Sequence, residues 1–268
     1  MNKREAFNSN LPLNPNQIST AGPHRIFVSP ENISQDRIIL RGEPVKKVRL
    51  VLRLKPKDSL SVFDGAGYEY LTQIVSISPQ TGELKIVEKT YHPDKSPLEI
   101  HLGQAVPKSQ KMDFIIQKAV ELGVGEIHPF FSSRTIPRLT SLQAMKKVER
   151  WRKICQGASQ QSGRVHIPTV NPLVDFIELL TLPSPGSLKV ILQKNPSHDP
   201  LKNFLRTNRN KRGIFFLVGP EGGFAPEEIT RALNHGFKPI SLGERILRTE
   251  TVALTFLSIL QYELGDMT

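Results

Sequence analysis

The chain has 268 residues, is 38 % hydrophobic and carries a formal net charge of +11, with a pI near 9.8. That length can bury one large core or two modest ones, two domains being the better fit, and no apolar stretch approaches the ~20 residues that cross a bilayer. A single cysteine, Cys155, excludes a disulfide framework or a thiolate metal cluster within the chain and fits a cytoplasmic protein with no membrane partner. The basic excess points to a polyanionic partner, most simply nucleic acid, although charge also serves solubility.

Residues 1–23 are polar and Asn-rich, lack the apolar core of a signal peptide, and read as a flexible extension. Short β-like runs follow: RIFV from Arg25, VRLVLRL at 48–54, SLSVFDGAGYEY at 59–70, then LTQIVSI and LKIVE. Turn chemistry breaks them, with Asp64-Gly65 as a hairpin signal. The pattern predicts a small β-barrel domain over 24–92. Two prolines in YHPDKSP (91–97) mark a linker.

Beyond residue 97, strand alternates with helix. A strand at 99–106 precedes a helix with Ser109 as N-cap, Met112, Ile115, Ile116, Ala119 and Val120 at helical spacing, and Gly123 as its stop. EIHPFFS is the next strand. Ser141 caps a longer helix with Leu142, Met145, Val148, Trp151, Ile154, Cys155 and Ala158 along one stripe. Strands at 189–193 and 213–218, a helix from Pro226 ended by Gly236, a short strand at 239–242 and a last helix over 250–264 complete the chain. That helix is apolar nearly all round, so it belongs in a core or a subunit interface. The alternation predicts an α/β domain over 97–268 with a largely parallel sheet.

Charge is clustered. Residues 46–57 hold six Lys/Arg and no acid, 134–153 hold seven against one Glu, and 202–212 hold five against none. Each cluster alone reads equally well as a solvated face; together they favour a long polyanion, with Arg25, Arg53, Arg134, Lys146, Arg150 and Arg164 as candidate RNA contacts.

Two loops follow strand ends. LVGPEGGFAPEE (217–228) places three glycines, a proline and Glu221 after an apolar strand, but has neither the Gly-Lys-Ser/Thr of a P-loop nor GxGxxG, so nucleotide triphosphates and dinucleotides lose ground. Its glycines either allow close approach of a ligand to the backbone or make a tight turn. SLGERILRTETVAL (241–254) repeats the strand–glycine–loop–helix arrangement, with Thr249 as N-cap. Arg248 beside that cap opposes the helix macrodipole, which suggests a task other than stability. The seven histidines show no paired ligand spacing, and no metal is expected.

These two loops, with HLGQAVPKSQKMDFIIQKAVELGVGEIHPFFSSRT and ASQQSGRVHIP before them, make the chain from Arg25 onward similar to the RsmE family, the 16S ribosomal RNA (uracil-1498-N3)-methyltransferases of the SPOUT superfamily. The resemblance implies a PUA-like β-barrel that helps hold RNA and a SPOUT α/β domain whose last segment threads a deep trefoil knot. It also implies a homodimer through the C-terminal domain acting on 16S rRNA in the small ribosomal subunit, and S-adenosyl-L-methionine as cofactor. Leu192, Gly219, Pro220, Glu221, Gly222, Gly223, Leu242, Gly243, Ile246, Leu247, Arg248 and Thr249 are then its binding residues, with the strand end running on to Pro196. Arg248 and Glu221 are the catalytic candidates: Arg248 to stabilise the uracil imide anion or grip a phosphate, Glu221 to orient or act as base. The QQSGR stretch should lie near the site. Gln160 stands where the family commonly has Glu, Asn195 where His or Glu is frequent, and a histidine often found ahead of VLR is missing. The alternatives are a SPOUT methyltransferase of another RNA site, such as a ribose 2′-hydroxyl, and a non-catalytic RNA-binding assembly factor on the same scaffold.

Overall fold

The structure is a computed structural model that describes residues 24–93, 96–136, 139–194 and 201–267. The extension and the stretch holding Asn195 and Pro196 lie outside the described residues. The chain divides into two units: the described residues up to Phe63 with Glu69–Thr90, and Asp64–Tyr68 with the described residues from Tyr91 onward.

In the first unit, β1 (Arg25–Phe27), β2 (Arg37–Arg41), β3 (Ser59–Phe63), β4 (Tyr68–Ile77) and β5 (Thr81–Tyr91) form a sheet of order β1-β3-β4-β5-β2. β1 runs parallel to β3, whereas β3–β4 and β2–β5 are antiparallel. Along β2 and the start of β5 alternate residues, among them Ile38, Leu40 and Leu84, are buried, as a sheet with one covered face requires, whereas β3 is buried at four successive positions from Leu60 to Phe63. The predicted turn at Asp64-Gly65 is present: Asp64 Oδ1 accepts from the Ala66 and Tyr68 amides at 2.8 and 3.1 Å, and Gly65 is left-handed.

The VRLVLRL run is not a strand. Residues Glu43–Lys46 form α1, and Lys47–Val51 continue it as a π-helical turn. A strand would bury Val48 and Leu50 on one face. Instead Val45 and Val48, three apart, are buried, while Leu50 and Val51 are 56 % and 71 % exposed, so the helical period overrode the β-propensity of the valines.

In the second unit, β6 (Glu99–Ala105) leads to α2 (Lys111–Glu121), β7 (Glu126–Phe131) and α3 (Ser141–Ser162). Short β8 (Thr169–Val170), β9 (Val174–Asp175) and α4 (Phe176–Leu179) follow. Then come β10 (Leu188–Leu192), α5 (Leu201–Thr207), β11 (Gly213–Val218), α6 (Pro226–Asn234), β12 (Lys238–Ile240) and α7 (Thr249–Leu264). The strand order is β12-β10-β11-β6-β7-β8, with β9 also beside β7, and every pairing is parallel.

Both faces of this sheet are covered, which is why its strands are apolar at successive positions. Along β11, Ile214, Phe216 and Val218 join a core with α2, α3 and α7; Phe215 and Leu217 join an aromatic layer with Phe130, Phe176, Phe224 and Phe237. Trp151 of α3, 2 % exposed, is among the largest buried side chains, and truncating it to Ala costs about 3–5 kcal/mol on general precedent.

Three helix starts differ from expectation. Ser109 is left-handed rather than an N-cap, and Gln110 occupies the cap of α2. Thr140, not Ser141, caps α3, exchanging hydrogen bonds with Gln143 in a capping box. Arg248, not Thr249, is the N-cap of α7. The α3 stripe is also shorter than expected: Leu142 and Met145 are 61 % and 66 % exposed, because α3 has 22 residues against 11 in α2 and its first turns run past its partner.

Candidate active site

β10, β11 and β12 are adjacent and parallel, ending at Leu192, Val218 and Ile240. The loops that follow β11 (219–225) and β12 (241–248) therefore leave the same edge of the sheet, where open α/β sheets bind ligands. Between them lies a cavity of about 620 Å³, and every described residue assigned to the cofactor from the sequence, from Leu192 to Thr249, lines it. A separate cavity of about 470 Å³ runs along α3 between Met145 and Leu173 and contains none of them.

The two loops are tied together by one buried side chain. Thr249, 5 % exposed, donates from Oγ1 to the Gly219 carbonyl at 2.7 Å and accepts from Gln104 Nε2 at 3.0 Å. A threonine in the first helical position thus spans from α7 to the glycine loop and to the end of β6. Below the loop, Phe224 is buried against Phe130 and Phe176. Gly219 has little room: a Cβ there would stand 3.2 Å from the Phe224 ring. Gly223 is left-handed, at φ +66°, and a Cβ there would meet nothing within 4 Å. At Gly222 a Cβ would instead approach Arg134, whose Nη1 donates to the Gly222 carbonyl at 2.8 Å.

Glu221 accepts from the Lys108 amide at 3.2 and 3.3 Å and pairs with Lys111 at 3.1 Å; Lys111 in turn reaches Glu250 at 3.4 Å. Burial pushes the Glu221 carboxyl up, but its own backbone amide, the Lys111 ammonium and the Lys108 amide outweigh this and hold it below the usual carboxylate range. A carboxylate so held is a weak base and a good tether. Arg248 lines the same cavity with an exposed side chain that makes no hydrogen bond or ion pair to another described residue.

Sequence reasoning missed Lys111, Lys194 and Arg245, all on the cavity wall. The signal for Lys111 was present: a lysine opening α2 opposes the macrodipole, as Arg248 does at α7. The QQSGR stretch is not at this cavity. It closes α3, with Gly163 left-handed as C-cap, and Arg164 donates to the Val120 carbonyl in the last turn of α2 at 3.0 Å and to the Val124 carbonyl just past it at 2.7 Å.

The other RNA candidates differ in how they are engaged. Arg25 pairs with Glu69 at 2.9 Å and stacks on Phe63 at 3.7 Å, with a side chain 15 % exposed. Arg150 is exposed but pairs with Asp113 at 2.6 Å. Lys146 is exposed on α3, and Arg53 is exposed in a left-handed backbone conformation.

Residues 94–261 match the family described as an RNA methyltransferase domain. The chain belongs to the RNA methyltransferase family. Residues 49–87 match an RNA methyltransferase PUA domain, so the resemblance read from the loop motifs is borne out. The chain is 36 % identical over 220 residues to the ribosomal RNA small subunit methyltransferase E of Buchnera aphidicola (subsp. Schizaphis graminum), covering 82 % of this chain and 88 % of that protein. Among solved structures it is similar to a ribosomal RNA small subunit methyltransferase E from Neisseria gonorrhoeae bound to S-adenosyl methionine: 34 % identity, TM-score 0.82, 92 % of this chain and 100 % of that one. A methyltransferase from Legionella pneumophila, in complex with the same cofactor, aligns with TM-score 0.84 at 33 % identity over 91 % of this chain and 99 % of its own.

Proposed function

We propose that this protein is an S-adenosyl-L-methionine-dependent methyltransferase of 16S ribosomal RNA, acting on N3 of one uridine, the equivalent of U1498, in the small subunit. The observation that carries this reading is the cavity at the strand ends, walled by exposed glycine backbone and flanked by an uncommitted Arg248. Its volume is within the ~300–1,000 Å³ usual for small-molecule sites, and the open space over Gly223 and Gly243 admits a ligand against the main chain. Leu192, residues 219–223, 242–243 and 246–249 would hold the cofactor, which supplies an electrophilic methyl group when bound.

Uracil N3 is engaged in any Watson–Crick pair, so the base must be presented unpaired. As its N3 proton leaves, negative charge develops on O2 and O4, and the Arg248 guanidinium, free to turn, offers donors to that charge. Glu221 serves as an orienting group: through Lys108 and Lys111 it pins the glycine loop to the start of α2.

In the same reading the residues over 24–92 form the RNA-holding domain and those over 97–268 the catalytic one. Exposed Ile246 and Tyr262, 80 % and 72 % accessible, suit a homodimer contact near the site. The trefoil knot belongs to this reading too, supported by α7 being bonded at its first residue to the loop that follows β11. No helix of the described residues is long and apolar enough to cross a membrane, which fits a cytoplasmic enzyme.

The test is to incubate the protein with cofactor and unmodified small subunits, then digest the RNA and identify the methylated nucleoside by mass spectrometry. N3-methyluridine is expected; a ribose-methylated nucleoside, or none, overturns the assignment.

A further inference from the structure

At the opposite end of the sheet from the cavity, three potential ligands converge that no sequence spacing had suggested. His101 is the third residue of β6, and Glu126 and His128 are the first and third of β7. The parallel register sets His101 beside Glu126, and the two-residue strand period puts His128 on the same face as Glu126. The mutual distances are 3.4 Å from His101 Nδ1 to His128 Nε2, 3.2 Å from His128 Nε2 to Glu126 Oε2 and 3.7 Å from His101 Nδ1 to Glu126 Oε2.

We infer that His101, Glu126 and His128 form a binding site for a first-row divalent transition ion of the zinc class. A tetrahedral zinc ion with bonds of about 2.0–2.1 Å holds its ligand atoms about 3.3–3.4 Å apart, close to the triangle already present. Two imidazoles and one carboxylate favour zinc and its neighbours over magnesium or calcium, which take oxygen ligands.

The surroundings support the ligand roles. Glu99 Oε1 lies 3.0 Å from His101 Nε2, so it accepts that N–H and leaves the Nδ1 lone pair facing the cluster, the carboxylate–histidine relay common around zinc. His128 is 6 % exposed and its Nδ1 is buried without a hydrogen-bond partner beside Phe215, so whatever His128 binds, it binds through Nε2. Asn171 Nδ2 lies 3.0 Å from Glu126 Oε2 and 3.5 Å from His128 Nε2. A half-turn of that amide would bring its oxygen to the same place as a further neutral ligand. The Glu126 side chain is 36 % exposed, which leaves the outer position open to water. The ion would link β6 to β7 where the sheet begins.

Zinc titrated calorimetrically into the metal-stripped full chain should bind at one ion per chain, with magnesium giving no signal. Cobalt in its place should develop the visible absorption of a low-coordinate site. Glu126→Gln, which keeps the side-chain shape, and His101→Ala should each weaken zinc by more than tenfold. Glu99→Gln, acting through His101, should weaken it by about tenfold. Zinc should raise the melting temperature of the wild type and not that of Glu126→Gln, whose metal-free melt reports whether the variant is folded. Absent zinc binding by the wild type, or equal zinc affinity in a folded Glu126→Gln, overturns the site.

Discussion

Thr249→Val isolates the bond that joins the two loops. The substitution keeps shape and burial but removes the hydroxyl that donates to the Gly219 carbonyl and accepts from Gln104 Nε2. Gln104 Nε2 keeps one hydrogen on the Ala105 carbonyl at 2.9 Å, but the hydrogen that met Thr249 is left unpaired in a fully buried side chain, along with the Gly219 carbonyl. Leaving two buried groups unsatisfied costs about 2–6 kcal/mol, and at about 2–4 °C per kcal/mol for a domain of this size the melting temperature should fall by about 4–24 °C. Because the freed carbonyl belongs to the cavity wall, cofactor affinity should fall as well, by about tenfold for each 1.4 kcal/mol that loop disorder adds to binding. Calorimetric titration with S-adenosyl-L-methionine and a melting curve read both effects, and Thr249→Ser, which retains the hydroxyl, should recover most of each. Wild-type affinity and melting in Thr249→Val would refute the idea that this bond holds the loop.

Arg248→Ala should lower methyl transfer far more than cofactor affinity, since its side chain has no structural partner to lose; parallel loss of both, measured by turnover and titration, would confine Arg248 to cofactor binding and remove its catalytic role. Burial pushes the Cys155 thiol up to about 12, so a thiol reagent at pH 8 should label it only after denaturation, and labelling of the native chain within minutes would contradict the packing around α3. The Glu221 carboxyl is held below its ordinary value, so its contribution is complete above the normal carboxylate range and fades as pH falls through the lowered value. The melting difference between wild type and Glu221→Gln should thus be constant from neutral pH to about 5 and close below about 4; a gap independent of pH would rule out the ion pair as its source. Lys146→Glu should weaken RNA binding and reduce the slope of log affinity against log salt by about 0.7–0.9; an unchanged slope would return that face of α3 to solvent.

Much of the fold is legible in the chain because the determining signals are local. The strand–helix alternation past residue 97, the stop at Gly236 after α6 and the turn at Asp64-Gly65 depend on neighbours within a few residues, and all are present. The loop glycines are legible for the same reason, since a bare backbone after an apolar strand has few uses. The run at 48–54 departs from the expected strand because Val48 belongs to two periods at once, with Leu50 and Leu52 at strand spacing and with Val45 at helical spacing, and only the surface it packs against selects between them.

What the sequence by itself determined, then, is where the strands end and which backbone is exposed there, because propensity, turn chemistry and period act along the chain. The tertiary structure alone decided which groups meet: Thr249 with Gly219, 30 residues away, Lys108 with Glu221, 113 away, and Arg164 with carbonyls at the end of α2. It also decided that His101 meets His128, since a parallel sheet pairs segments joined through a helix, and their register follows from packing on both faces rather than from any residue near either histidine.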